Sequence, residues 1–520
     1  MVSTPGRAIV GKHCMVSSGH PLATLAGVEV LRAGGNAVDA AVAAGAVSCV
    51  VLPHACGVGG DLFAIGYDAS QRQLWAINGS GRAPALATLD LFRHGIPEDE
   101  ITSTTVPGAV HAWSELVARY GHRQLGELLH WAINWAHEGF VVDAALSTFI
   151  SANERKLRKH AESARVFMPD GRLLKQGDYL RQVSLASTLK RIAVKGAEDF
   201  YSGDIARRVS SHAESVGGLL RTSDLSAHAS RWENPIGRKY YGYDVLVPPP
   251  NSIGILLLVQ LGLLNPDELK ALAHNSAQYI EKMLRAKRTA FAQVLPLLTD
   301  PDSLPIPAAQ MVSEDFLSHL RNTGRAGVLA REVSDTTAII TADDQGNVVS
   351  LIQSVYFHFG CGVVAGDTGI LLNNRMMGFS TEASHPNVVA GNKRPAHTLA
   401  PALVLRDRQP VLGIATPGAF AQTQSLCQLL NNVLVFGFEL QQALEAPRWF
   451  DDVDNTTLIE SRIPLEVVAT LSSSGHKINV GGPWEPNTGN AQAVQIDDRP
   501  AGRIIYGAAD LRRNGCALGW

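Results

Sequence analysis

Apolar residues recur with two different periods along the chain, and the period changes near residue 336. In the first part they recur every three or four positions over 21–52, which predicts two helices separated by Gly34-Gly35. Asn36 is suited to cap the second, alanine-rich helix. The other elements predicted in the first part are strands at 62–67 and 74–77 and helices at 116–135, 186–194 and 279–295.

From residue 336 onward, apolar and polar positions alternate on both sides of a polar turn at 343–347, which predicts a hairpin. The stretch before it, 330–335, is mostly polar and is predicted to be exposed. Helices that enclose mixed or antiparallel strands indicate a layered α+β fold. The other elements predicted in the second part are strands at 363–364, 370–372, 402–405 and 411–415 and a helix at 422–435.

Composition narrows the class of protein. Of the 520 residues 46% are hydrophobic and 18% are charged, which predicts a large buried core and excludes disorder as the dominant state. The formal net charge of −3 argues against nucleic acid as the main partner. The most apolar stretch, 37–52, is short and contains Asp39, so it predicts a buried helix rather than a membrane span.

The first residues and the cysteines indicate in which cellular compartment the protein is expected. The first fourteen residues lack the apolar stretch of a secretion signal. The six cysteines have no C-x-x-C spacing, so neither a disulfide framework nor a zinc site is expected. These features together predict a cytoplasmic protein with no membrane partner.

Two segments of the second part carry the candidate chemistry. Thr336 and Thr337 begin the predicted hairpin, where β-branched residues are usually just strand formers. A catalytic role becomes more plausible because a strand-to-helix turn of small residues follows at 416–419. Such a turn leaves backbone N–H groups free to face an oxyanion, although it could equally be a simple helix cap.

Short motifs across the chain resemble those of one known family. In the first part they are Gly34-Gly35-Asn36-Ala37-Val38-Asp39-Ala40-Ala41, Pro53-His54, Gly57-Val58-Gly59-Gly60, Thr105-Val106-Pro107-Gly108 and Phe200-Tyr201-Ser202-Gly203. In the second part they are Thr336-Thr337, Asp343-Asp344-Gln345-Gly346-Asn347, Gly369-Ile370-Leu371-Leu372-Asn373-Asn374, Asn392-Lys393-Arg394-Pro395 and Thr416-Pro417-Gly418. Their order and spacing resemble the γ-glutamyltranspeptidase family over nearly the whole chain, and most closely its bacterial oxamate amidohydrolase branch.

The resemblance implies an N-terminal nucleophile hydrolase with an α+β, four-layer αββα sandwich. The precursor is expected to cut itself between Asp335 and Thr336. The products would be an α chain of residues 1–335 and a β chain of residues 336–520, which stay together as one intertwined heterodimer. A dimer of heterodimers is left open.

The resemblance also implies the catalytic roles. Thr336 becomes the nucleophile, and its freed α-amine acts as the base. The N–H groups of Gly418 and Ala419 then stabilise the oxyanion. Such a mechanism requires no metal and no organic cofactor, and its partner is a small-molecule amide.

The expected substrate pocket departs from the family pattern. Gly378 stands where transpeptidases carry the acidic residue that holds the α-amino group of a γ-glutamyl substrate. Tyr356 replaces a smaller asparagine and is expected to shorten the pocket, whereas Ser354 keeps a hydroxyl near the nucleophile. Losing a charge-assisted hydrogen bond worth roughly 1.5–3 kcal/mol would lower discrimination for γ-glutamyl groups by about tenfold or more.

The groups that would bind a substrate carboxylate also differ. Ser80 occupies the position of the family's arginine, and Arg82 lies two residues further on, so it is expected either to bind the substrate or to be structural. His397 and Thr398 replace the usual pair of serines and still offer donors.

These departures predict a small anionic amide without a free α-amino group, and oxamate, which yields oxalate and ammonia in purine catabolism, fits best among the family's substrates. Three alternatives remain open. They are a glutathione hydrolase or γ-glutamyltransferase with an altered pocket, an acylase of the cephalosporin or glutaryl type, and an uncleaved, inactive homologue that acts as a binding protein.

Overall fold

Two seven-stranded sheets form the centre of the structure, a computed structural model that describes residues 6–323, 335–452 and 454–520. The strands are β1 (Ile9–Gly11), β2 (Met15–Ser18), β3 (Asp61–Asp68), β4 (Gln73–Gly79), β5 (Phe140–Val141), β6 (Tyr179–Leu180), β7 (Arg231–Glu233), β8 (Ile236–Tyr240), β9 (Tyr243–Val247), β10 (Asp335–Ala342), β11 (Val348–Tyr356), β12 (Ala402–Arg406), β13 (Gln409–Ala415), β14 (Trp449–Asp451), β15 (Thr456–Glu460), β16 (Lys477–Gly481), β17 (Gln492–Arg499), β18 (Gly502–Ala509) and β19 (Cys516–Gly519). One sheet has the order β19-β2-β10-β11-β3-β4-β7, and the other β1-β18-β17-β13-β12-β9-β8.

Helices cover the outer faces of both sheets. They are α1 (Pro21–Arg32), α2 (Ala37–Val51), α3 (Ala109–Tyr120), α4 (Leu125–Leu128), α5 (His130–Glu138), α6 (Ala144–Ala152), α7 (Glu154–Arg158), α8 (Ala161–Phe167), α9 (Val183–Lys195), α10 (Ala197–Tyr201), α11 (Asp204–Ser215), α12 (Thr222–Ser226), α13 (Gly254–Leu263), α14 (Pro266–Lys270), α15 (Ala277–Gln293), α16 (Ala308–Met311), α17 (Glu314–Thr323), α18 (Ala421–Leu430), α19 (Leu440–Glu445) and α20 (Leu465–Ser473). Short 3-10 turns lie at Leu89–Phe92, Ile101–Ser103, Pro169–Gly171, Leu295–Leu297, Pro301–Ser303, Gly366–Thr368, Arg375–Gly378 and Pro486–Thr488.

The buried apolar side chains fall into three large layers, which confirms the predicted αββα sandwich. One layer, with Phe63, Ile340 and Val494, fills the space between the two sheets. A second packs helices such as α2 and α3 on the outer face of the β10 sheet, and a third packs α13, α15 and α18 on the other sheet. Each sheet is therefore covered on both faces, which keeps its central strands dry.

The first helical pair matches the predicted pattern. The Asn36 side chain accepts hydrogen bonds from the N–H groups of Val38 and Asp39, each at 3.0 Å, and the Asp39 carboxylate accepts one from the Asn36 N–H. Every residue of α2 is buried, because the helix packs between α1, α5 and β10. Within the described ranges, no helix has both the length and the apolar composition that crossing a membrane requires.

Four predicted elements differ in detail. The helix predicted at 116–135 is divided into α3, α4 and α5, because the chain leaves α3 at Gly121 and the following N–H groups bind the Asp39 carboxylate. The helix predicted at 422–435 ends as α18 and continues as a π-turn, where the Asn431 side chain donates to the Cys427 carbonyl at 2.8 Å. The strands predicted at 363–364 and 370–372 meet in only one bridge.

The predicted hairpin is β10 and β11, with Asp343 accepting N–H bonds from Gln345 and Asn347 in the turn. Of the polar stretch predicted to be exposed, residues 330–334 lie outside the described residues. Asp335 is completely buried, so that prediction is wrong there. The reason is that Asp335 is the first residue of a central strand and finds charged partners inside the protein.

Candidate active site

Thr336 lies at a bulge at the start of β10. Asp335 pairs with Tyr356 and Thr337 pairs with Gln353, so the register shifts there, and two residues of β11, Ser354 and Val355, lie opposite the single residue Thr336. Bulges at the end of a sheet re-aim a side chain away from the regular pleat. The Thr336 hydroxyl is buried and has no hydrogen-bond partner in the part of the chain that the structure describes. No other group of the described chain therefore occupies this hydroxyl.

The peptide bond between Asp335 and Thr336 is held from both sides. The Ser354 hydroxyl donates to the Asp335 carbonyl oxygen at 2.7 Å and accepts from the Tyr356 N–H at 2.8 Å. The Thr336 N–H donates to the Asp335 carboxylate at 2.8 Å. The Ser354 donor polarises the one carbonyl that adjoins the unpartnered threonine hydroxyl.

The Asp335 side chain is held by a group of basic residues. Arg513 Nη1 lies 2.6 Å from one carboxylate oxygen, and the Nε2 atoms of His358 and His54 lie 3.5 and 3.6 Å from the other. Burial favours the neutral acid, but Arg513 and His358 outweigh it and hold the pKa of Asp335 well below its ordinary value. Burial also lowers the pKa of His54 to about 3, so this imidazole is neutral at pH 7.

The turn between β13 and α18 has the shape expected of an oxyanion site. Gly418 has φ +120° and Ala419 has φ +47°, a left-handed conformation that is uncommon for a residue with a side chain. Their carbonyls accept bonds from Ala421 and Gln422 of α18, whereas within the described residues their own N–H groups donate none. The Asn490 N–H donates to the Thr416 hydroxyl, just before this turn. The Asn490 side chain and the Thr337 hydroxyl both lie next to Gly19, so the turn is near the start of β10.

A cavity of about 250 Å³ adjoins this place through Tyr356, the sheet partner of Asp335. Its lining includes Gly378, His397, Thr398 and Phe420, the last being the residue after Ala419. Three of the residues predicted for the substrate pocket, Tyr356, His397 and Thr398, are thus brought together. Tyr356 itself has φ +81°, a strained conformation for a bulky residue at the end of a strand.

Arg375 underlies this cavity and was not identified from the sequence as a site residue. Its Nη1 donates to the Thr398 hydroxyl at 3.1 Å, its Nε lies 3.3 Å from Asp61, and its guanidinium carbon lies 3.8 Å from the centre of the Tyr356 ring. It therefore positions two side chains that line the cavity. The signal available in the sequence was its position between the Asn373-Asn374 motif and Gly378.

His397 is completely buried, with Nε2 3.2 Å from the Asp61 carboxylate. Burial, followed by the charge of Arg375, lowers the pKa of His397 to about 4. Burial of Asp61 acts against its ionisation, but His397 and Arg375 hold the pKa of Asp61 below its ordinary value. At neutral pH the histidine is uncharged, and Arg375 supplies the positive charge in this part of the site.

Arg82 lies elsewhere. Its Nη1 donates to the Asn392 carbonyl at 2.6 Å, and its guanidinium pairs with Asp300 at 3.4 Å and Asp302 at 3.5 Å. It is not among the residues that line the cavity. These contacts tie one loop to another, and a role of Arg82 at the substrate stays a prediction.

Gly378 has no room for the acidic side chain expected in a transpeptidase. A Cβ atom there would lie 2.9 Å from the Ala396 carbonyl oxygen and 3.3 Å from the Pro395 side chain.

Across 6–323, 335–452 and 454–520, no group of three acidic, histidine or cysteine side chains is arranged to hold a metal ion.

Comparisons with known proteins agree with this geometry. A family model described as Gamma-glutamyltranspeptidase matches residues 23–520. The chain is 35% identical to the Glutathione hydrolase-like YwrD proenzyme of Bacillus subtilis over 99% of both chains. It is 30% identical to the Oxamate amidohydrolase proenzyme of Klebsiella pneumoniae over 98% of this chain and 99% of that one.

A solved structure, the cephalosporin acylase from Bacillus halodurans, superposes with a TM-score of 0.92 at 31% identity, covering 100% of this chain and 98% of that one. The sequence match and the two-sheet architecture therefore lead to the same conclusion. The chain belongs to the γ-glutamyltranspeptidase family and is a hydrolase with the N-terminal nucleophile fold.

Proposed function

We propose that the chain cuts itself between Asp335 and Thr336 and then uses Thr336 to hydrolyse a small anionic amide, oxamate being the first choice. The observation that carries the proposal is the unpartnered Thr336 hydroxyl, which adjoins a carbonyl polarised by Ser354. A bound donor on the carbonyl oxygen stabilises the negative charge that forms there when a nucleophile attacks.

Self-cleavage would proceed through an ester. The Thr336 hydroxyl oxygen attacks the Asp335 carbonyl carbon, the C–N bond breaks, and the proton passes to the Thr336 nitrogen. Water then hydrolyses the ester, leaving a carboxylate on Asp335 and a free amine on Thr336. The products are the α chain of residues 1–335 and the β chain of residues 336–520, which remain associated as a heterodimer.

Turnover would repeat this chemistry on an external amide. The Thr336 α-amine, with an ordinary pKa near 8, takes the hydroxyl proton and returns it to the leaving ammonia. The N–H groups of Gly418 and Ala419 serve the oxyanion, because they have no competing acceptor among the described residues. Water then releases the acid from the acyl-Thr336 ester.

The choice of substrate rests on the cavity. It is small, it lacks an acidic side chain at 378, and it is lined by Tyr356, His397 and Thr398, with Arg375 behind them. This set offers hydrogen-bond donors to a carboxylate, and no acidic side chain is among the lining residues to pair with an ammonium group. A relative named oxamate amidohydrolase supports the choice, whereas the relatives named glutathione hydrolase make γ-glutamyl compounds the alternative.

A substrate panel on the purified, matured protein tests the proposal. We expect kcat/KM for oxamate to exceed that for γ-glutamyl p-nitroanilide, with Thr336→Ala inactive on both. A γ-glutamyl value equal to or above the oxamate value would overturn the substrate, and a preparation that is active without being cleaved would overturn the mechanism. A cytoplasmic location belongs to the same proposal and is tested by activity in separated cell fractions.

The variant Arg82→Met tests whether Arg82 binds the carboxylate of the substrate or only anchors a loop. A raised KM in fully processed protein would place Arg82 at the substrate. Unchanged kinetic constants together with a lower Tm would leave it as a loop anchor through Asp300 and Asp302.

A further inference from the structure

A second pocket, formed by one arginine and two histidines, surrounds the Asp335 side chain. Its members come from three separate turns: His54 follows α2, His358 follows β11, and Arg513 precedes β19. Asp335 is completely buried, and the Arg513 side chain is only 15% exposed. These residues therefore form a buried binding site for a carboxylate, directly beside the candidate nucleophile Thr336.

The pocket offers more donors than Asp335 uses. Arg513 places Nη1 on the carboxylate, but its Nε is buried without a hydrogen-bond partner in the described part of the chain. The Nε2 atoms of His54 and His358 lie 3.6 and 3.5 Å from the carboxylate, which is too long for strong bonds. An arginine fork can hold both oxygens of a carboxylate, so this pocket can bind one more tightly than it binds Asp335.

Cleavage changes the charge balance in this place. The Asp335 carbonyl carbon becomes a carboxylate, so one residue then carries two negative charges close together in a buried site, and they repel each other. Their repulsion favours departure of the new α-chain end. Arg513 would then be a buried cation without its counter-ion, a costly state that an incoming anion relieves.

We propose that Arg513, His54 and His358 form a carboxylate subsite of the mature enzyme, which the Asp335 side chain occupies in the precursor. The inference rests on the proposed self-cleavage. The class of ligand follows from the first acyl group that Thr336 attacks, which is that of Asp335. In an aspartyl residue, three bonds separate the carbonyl carbon from the side-chain carboxylate carbon. Succinamate has the same spacing, whereas oxamate has one bond and a γ-glutamyl group has four.

The predicted reaction is hydrolysis of succinamate to succinate and ammonia. The Thr336 oxygen forms an ester with the amide carbonyl carbon as the C–N bond breaks and ammonia takes the proton held by the α-amine. Water then cleaves the ester, giving the second carboxylate. Throughout, the distal carboxylate stays on Arg513, as that of Asp335 does in the precursor.

The variant Arg513→Met tests the subsite through the ratio of kcat/KM for a charged amide to kcat/KM for an uncharged one. In matured protein, we expect kcat/KM for succinamate to fall about tenfold to a hundredfold, while that for uncharged butyramide changes less than threefold. Arg503→Met is the matched control, because Arg503 also pairs with an aspartate but lies near the far turn of the β10–β11 hairpin. Equal losses on both substrates, or no loss on succinamate, would overturn the subsite.

Calorimetry separates failure of the subsite from failure of the proposed function. If the matured protein hydrolyses no amide, succinate should still bind it, and more tightly than butyrate. His358→Gln, which changes a partly exposed member, should weaken succinate binding about threefold or more if Arg513→Met does not mature. Equal binding of succinate and butyrate to the wild-type protein refutes the subsite, and a wild-type chain that never cleaves refutes both proposals.

Discussion

Ser354→Ala is expected to slow self-cleavage without unfolding the protein. The hydroxyl makes two contacts in the precursor, donating to the Asp335 carbonyl at 2.7 Å and accepting from the Tyr356 N–H at 2.8 Å. Alanine removes both and leaves a small space inside β11. The first contact acts on the reacting carbonyl, whereas the second only supports the backbone.

The two losses differ in size. Removing one donor from an oxyanion site costs about 2.7–4 kcal/mol of transition-state stabilisation, or roughly 10²- to 10³-fold in rate. Leaving one buried backbone N–H without an acceptor costs about 1–3 kcal/mol of folding stability, which a protein of this size tolerates. The rate of cleavage should therefore fall far more than the amount of folded protein.

The assay follows freshly synthesised precursor on a denaturing gel, with Tm measured on the same preparation. Ser350→Ala is the matched control, because Ser350 lies on the same strand, is also buried, and donates to the Ile414 carbonyl at 3.1 Å. Ser354→Thr keeps the hydroxyl and should restore cleavage. Cleavage of Ser354→Ala at the wild-type rate, or equal slowing in both alanine variants, would refute the role given to this hydroxyl.

Three further outcomes are expected. Scaling the 55.6 kDa mass by length, wild-type protein should give bands of about 36 and 20 kDa, and Thr336→Ala a single band at full length on the same gel. Gly378→Asp should lower Tm and gain no γ-glutamyl p-nitroanilide hydrolysis, because its Cβ would meet the Ala396 carbonyl at 2.9 Å; a gain would show that the pocket adapts. Since the pKa of His397 is about 4 when folded and ordinarily 6.5, the unfolded chain binds more protons between these values. The contribution of His397 to the unfolding free energy of Thr336→Ala should thus fall by about 2–3 kcal/mol from pH 7 to 4.5, measured in urea titrations as the difference between Thr336→Ala and the same variant with His397→Gln.

Much of the fold could be predicted because it is encoded locally. The hairpin of β10 and β11 follows from alternation around a turn whose Asp343 binds its own backbone, and the start of α2 follows from the side chain of Asn36. The predicted helix boundaries were wrong where a polar side chain formed a hydrogen bond that periodicity does not indicate. Asp39 receives the N–H groups after α3, and Asn431 binds back into its own helix, so helices that periodicity would continue are broken or distorted.

The charged contacts of the site could not be predicted in this way, because they join distant parts of the chain. Asp335 meets Arg513 across 178 positions, and Arg375 meets Asp61 across 314. Periodicity indicates which face of an element is buried, but not which charged residues face each other once the layers are stacked. The burial of Asp335 was missed for this reason, since its neighbours along the chain are polar.

The two proposed reactions make different demands on one nucleophile. In self-cleavage the carbonyl is already attached to Thr336, so proximity is built in and one donor, Ser354, contacts the carbonyl oxygen. An external amide arrives without that advantage and needs donors that the precursor has not already used. We expect the Gly418 and Ala419 N–H groups to meet this need, since they donate to nothing else among the described residues. We infer that maturation depends mainly on Ser354 and turnover mainly on the 418–419 turn, so kinetic constants of any variant must be referred to its cleaved fraction.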